Sequence, residues 1–160
     1  MTDPGHTSEA LLEHLAHVPH AAALGMQLES YSDGACRVRV PYAMHLVGDP
    51  DTGVMHGGVL TAVLDNASGM AVPREGLTEA ERAIATLDLR IDYMRPATPG
   101  EDILVEAECY QLTRSIAFVR ARAFQDGDER MVAASVATFM LGANRAAPPA
   151  LARDEAGGSA

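Results

Sequence analysis

Only one segment of this 160-residue chain has the length and spacing of a long helix, and it sits among six strand-like runs. The segment is MHGGVLTAVLDNASGMAVP, which ends at Pro73. Before it, Gly25–Tyr31 and Ala35–Tyr42 read as strands joined into a hairpin by Ser32-Asp33-Gly34. In the second strand Cys36, Val38 and Val40 alternate with Arg37 and Arg39, as one buried and one wet face require. After it come Ala83–Met94, Asp102–Leu112, Ser115–Phe124 and Met131–Leu141, with turn residues between them and Gly127 after Asp126 as a strong hairpin signal. One helix among six strands excludes a doubly wound fold, which needs a helix between parallel strands. The expected class is α+β: a curved antiparallel sheet wrapped around one long central helix.

The flanks carry less information. Ser8 is placed to cap a short helix over Glu9–His17, which Pro19 closes, so residues 1–24 form an N-terminal segment. Gly48–Gly53 reads as a polar loop, and Thr78–Arg82 as an acidic connector with about one helical turn. From Gly142 onward the Ala, Pro, Gly and charged residues predict a disordered tail over 142–160. The net charge of -10 and the lack of any basic run exclude a dedicated nucleic-acid binder or an anchor to anionic lipid. No apolar run reaches the roughly 20 residues of a membrane span, and the acid- and histidine-bearing N-terminus is unlike an export leader, so a cytoplasmic protein is expected. Cys36 and Cys109 lack the close pairing of a zinc or redox motif and read as small buried thiols. No cluster has metal-ligand spacing, no cofactor is implied, and no Gly-x-Ser-x-Gly elbow supports a serine hydrolase.

The helix is unusual on both faces. At 100° per residue, Val59, Leu60, Val63, Leu64, Ala67, Met70 and Ala71 fall on one arc suited to the sheet. The opposite arc holds Thr61, Ala62, Asp65, Ser68, Gly69 and Val72, which are small and mostly neutral. Asp65 is the lone charge of the helix, and a carboxylate among small residues points to function. His56-Gly57-Gly58 opens the helix, where unpaired N–H groups and a partial positive charge suit a developing oxyanion. Gly57 and Asp65 lie eight residues apart, roughly 12 Å along one helix, too far to serve one reacting carbon. Two copies with antiparallel helices bring the helix tip of one to the middle of the other, giving two shared sites per symmetric dimer.

HGGVLTAVLDNASGMA with the Gly-Val-Met before it, and the later LDLRIDYMRPATPGEDILVEAE, resemble the hotdog-fold thioesterases of the phenylacetyl-CoA thioesterase-like group. The resemblance runs from about Leu24 to Leu141 and defines a hotdog domain over 25–141. It implies an acyl-CoA thioesterase that acts on a CoA-linked acyl or aryl-acyl group as a homodimer, with a dimer of dimers as the next assembly. It implies that Asp65 is the general base or nucleophile, that the Gly57 N–H polarises the carbonyl, and that Thr86 orients the water or the carboxylate. His56 and Gly58 then border the substrate, and Ser68 helps shape the tunnel. Family members often carry Asn six residues before the His; here that position is Pro50, and Asp49 one place earlier is the candidate to replace it. Arg90, Arg95, Arg114, Arg120 and Arg122 are candidates for the CoA phosphates. Two other readings share the fold: a non-catalytic module that binds acyl-CoA or another ligand, and a dehydratase or hydratase, whose different catalytic motifs are missing here.

Overall fold

In the computed structural model, Leu15 and residues 18–78 and 82–143 are described. The expected helix over Glu9–His17 therefore lies outside the described residues apart from Leu15, and so does the expected tail beyond Ala143. The first element with described bounds is α1 (Pro19–Ala23). Pro19 opens this helix, whereas the sequence predicts that it closes one. Its fixed φ and missing N–H suit the first helical position, where no intrahelical bond is lost.

Six strands are β1 (Gln27–Ser32), β2 (Ala35–Val40), β5 (Ile84–Tyr93), β6 (Ile103–Leu112), β7 (Ile116–Gln125) and β8 (Asp128–Leu141). They form one antiparallel sheet in the order β1-β2-β6-β7-β8-β5. Ser32 pairs with Ala35, and Gln125 with Asp128, so both hairpins close through two residues. Gly34 and Gly127 take the left-handed φ values of 100° and 73° that such tight reversals need. That is why β8 starts three residues before the predicted Met131.

The long helix, α2 (Gly57–Met70), lies against the inner face of the sheet. Cys36, Val38 and Val40 of β2 point inward beside Ala107, Val105 and Ile103 of β6, as the alternation predicts. Val59, Leu60, Val63, Leu64, Ala67 and Met70 of α2, with the following Ala71, are all buried against them. Leu64 is fully buried, so Leu64→Ala should cost about 2–5 kcal/mol, read as a lower urea midpoint with unchanged slope. The second predicted arc divides. Thr61 is exposed and Ala62 and Asp65 are half-buried, but Ser68, Gly69 and Val72 are buried. Near its C-terminus the helix sinks between strands: a side chain on Gly69 would meet Ile84 Cδ1 at 3.3 Å and the Phe139 ring at 3.6 Å.

The predicted loop over Gly48–Gly53 is instead framed by a small hairpin, β3 (Val47–Asp49) and β4 (Val54–Met55). Val47 pairs with Met55 and Asp49 with Val54, which leaves Gly48 as one extra, bulged residue. Among the described residues no helix is long and apolar enough to cross a membrane.

Candidate active site

The start of α2 is shaped by His56. Its extended backbone (φ -64°, ψ 135°) makes it the N-cap, and its ring Nδ1 accepts the Gly58 N–H at 2.9 Å. As an acceptor, Nδ1 carries no proton, which leaves the ring proton on Nε2. The His56 carbonyl accepts the Val59 N–H at 3.0 Å. Of the first three helical N–H groups, only that of Gly57 has no partner among the described residues, and Gly57 is exposed. One free donor thus stands at the positive end of a 14-residue helix.

Two turns on, Asp65 is half-buried, and the Thr86 hydroxyl donates to its Oδ1 at 3.0 Å. Thr86 reaches it from β5, which runs antiparallel to α2 along the helix. A bulge between Thr86 and Asp88 sets the extra residue Leu87 out of register. Beyond the bulge, Asp88, Arg90 and Asp92 take the outer face, and Leu89, Ile91 and Tyr93 turn toward the helix. Tyr93 is a neighbour of the site that the sequence reading missed. Its hydroxyl lies 2.6 Å from Thr61 Oγ1 and donates to the Gly57 carbonyl at 3.2 Å. Its signal in the sequence is the Asp88-x-Arg90-x-Asp92 alternation, which turns Tyr93 inward.

The other candidates fare differently. The Gly58 N–H is occupied by His56, so Gly58 has no free donor to offer. Ser68 is fully buried and its hydroxyl has no partner among the described residues, so it lines no open surface of the protomer. Asp49 folds back on its own loop, accepting from Thr52 Oγ1 at 2.7 Å and the Asp51 N–H at 3.1 Å. The Thr52 hydrogen bond, first, and the backbone bonds hold its carboxyl below the usual range. No hydrogen bond links it to His56 or Gly57. Its geometry is that of a loop brace, because a carboxylate beside a tight turn finds its own backbone first.

Four of the five arginines are already engaged. Arg95 is held by Gln125 and Asp128, Arg120 by Glu108, Arg122 by Glu106 and Arg90 by Asp92. Arg114 is the exposed exception in the turn before β7. A trough of about 870 Å³ lies on the outer sheet face beside Arg37, Glu106, Arg122 and Val136. Its lining includes neither Asp65 nor Gly57. Both cysteines are free; burial pushes the Cys36 thiol up to about 12 and raises Cys109 as well.

The arrangement therefore offers a hydrogen-bonded carboxylate and an unpaired helix-tip amide on one helix. That pairing can activate water, or attack directly, and steady an oxyanion. Comparison with known proteins gives the family. Residues 52–132, from the loop before α2 to the start of β8, match the model of the Thioesterase superfamily. The chain is 28% identical over 137 residues to the Escherichia coli medium/long-chain acyl-CoA thioesterase YigI, covering 79% of this chain and 87% of that protein. A thioesterase family protein from Silicibacter pomeroyi superposes with a TM-score of 0.71 at 28% identity, covering 84% of this chain and 97% of that one. A variant of the phenylacetic acid degradation protein PaaI of Thermus thermophilus does so with a TM-score of 0.65 at 27% identity, over 76% and 97%. The sheet wrapped on one helix and the matched segment agree: the chain belongs to the Thioesterase superfamily and is a thioester hydrolase with the hotdog fold.

Proposed function

We propose that the chain hydrolyses acyl-CoA thioesters in the cytoplasm, at two equivalent sites, each shared between two subunits. The observation that carries the reading is the presence on one helix of Asp65, held by Thr86, and of an exposed Gly57 whose N–H has no partner among the described residues. Eight residues of helix separate them by roughly 12 Å, so one thioester cannot use both from one chain. A second copy with its α2 antiparallel closes that gap. Leu87 (55% exposed) and Tyr93 (54%) of the edge strand β5, with Met94 (52%) just past its end, supply the apolar surface such a partner would cover.

The thioester carbonyl points at the Gly57 N–H of one subunit. Asp65 of the other subunit takes a proton from water as it attacks, or attacks the carbonyl carbon itself and forms an anhydride that water then opens. Both routes expel the CoA thiolate and leave the carboxylic acid. Thr86 fixes which Asp65 oxygen is free: with Oδ1 accepting its hydroxyl, Oδ2 faces the substrate.

Purified protein given acyl-CoAs of graded chain length, and an aryl-acyl-CoA, should release free thiol and run as a dimer or a larger even assembly by light scattering. Tight binding without thiol release would favour a ligand-binding module instead. Thr86→Val should lower kcat about tenfold and leave the dimer intact, since it removes one hydrogen bond to a charged group.

A further inference from the structure

We propose that Gly48 is a positioning residue for the helix-tip amide, an inference that rests on the reaction proposed above. Gly48 is the extra residue of the β3 bulge, and bulges re-aim what lies beside them. Its bare Cα is pressed against the N-cap: a Cβ there would lie 2.8 Å from His56 Cα and 3.0 Å from both His56 Cβ and Cδ2. On the other side of the ring, a Cβ on Gly58 would lie 2.9 Å from His56 Nδ1. The His56 N–H is also tied to the Leu46 carbonyl at 2.9 Å. Two glycines thus flank one imidazole, and only a residue without a side chain fits at either place.

The consequence is selection of a single donor. Held this way, Nδ1 takes the Gly58 N–H, and the His56 carbonyl takes that of Val59. The Gly57 N–H is left alone, with its direction set by a fixed N-cap. If the ring moved, Gly58 would regain a competing free N–H, and the cap that aims Gly57 would loosen. Gly48 has an ordinary negative φ, so an alanine there meets His56 and no backbone strain of its own. The His56 Cα is backbone and cannot swing aside as a side-chain tip would.

Gly48→Ala should therefore lower kcat about tenfold to a hundredfold with KM changed less than threefold, a smaller loss than deleting an oxyanion donor outright. In nitrogen-detected NMR of the His56 ring, wild-type protein should show protonated Nε2 and bare, accepting Nδ1. Gly48→Ala should shift the ring toward mixed tautomers. Thr52→Ala loosens the same hairpin through the Asp49 brace without touching His56, and should keep kcat within about twofold and the wild-type ring signature. A wild-type ring protonated on Nδ1 overturns the proposal, and needs no variant to fold. So does a folded Gly48→Ala protein with wild-type kcat and ring signature, or a Thr52→Ala protein as slow as Gly48→Ala. If Gly48→Ala does not fold, Gly58→Ala displaces the ring from its other side; an unchanged ring signature there overturns the proposal as well. Wild-type protein that releases no thiol, yet shows the expected ring signatures, would sink the hydrolase reading and leave the positioning role standing.

Discussion

Asp65→Asn will lower acyl-CoA turnover by about 10²- to 10⁴-fold while the protein stays folded and assembled. The substitution is close to isosteric, and the amide oxygen still accepts the Thr86 hydroxyl that Oδ1 accepts now. Asp65 is half-buried and belongs to no ion pair among the described residues, so removing its charge leaves no partner stranded. What is lost is chemical. An amide neither takes a proton from water nor attacks a carbonyl, whichever of the two routes operates. Because substrate contacts remain, KM should move far less than kcat, the signature of an interaction used in the transition state. Turnover within tenfold of wild type would remove Asp65 from the mechanism. A collapse of the dimer would show that its role is structural.

The fold was readable in the sequence because period-two alternation and turn chemistry are local. Cys36, Val38 and Val40 turn inward as their spacing predicts, and the two glycine turns close where Asp33-Gly34 and Asp126-Gly127 stand. The Asp65–Thr86 contact was legible only through resemblance, since 21 residues separate the pair. Three features escaped. Ser68 was assigned to an open face because helical angle alone does not say how deeply a helix sinks; Ile84 and Phe139 cover its neighbour Gly69. Tyr93 was missed because the Asp88-x-Arg90-x-Asp92 alternation turns it inward without saying that it meets the Gly57 carbonyl, 36 positions away in the chain. Asp49 was offered to the ligand because of its position in the chain, yet its carboxylate closes its own turn through Thr52 and Asp51. Each miss is a tertiary or register effect that a one-dimensional period cannot hold.

Gly57→Pro should lower kcat by about 10²- to 10³-fold, the loss expected when one oxyanion donor is deleted. Proline at this position removes the free N–H and little else. Gly57 is the first helical residue, where proline is favoured, and its N–H makes no bond among the described residues. The preceding residue, His56, already has the extended ψ of 135° that a following proline demands. A Cβ at Gly57 meets the Tyr93 ring at an ordinary 3.7 Å. The variant therefore separates the donor from the fold that presents it. It also permits a decisive mixing experiment with Asp65→Asn. In the proposed dimer, each variant alone has two damaged sites. In a hybrid, one site combines the intact Gly57 of the Asp65→Asn subunit with the intact Asp65 of its partner, while the other site carries both defects. Equal amounts refolded together give hybrids in about half the dimers, so about a quarter of wild-type activity should return. If donor and acid worked within one chain, no hybrid would hold an intact site, and the mixture would stay as inactive as its parts.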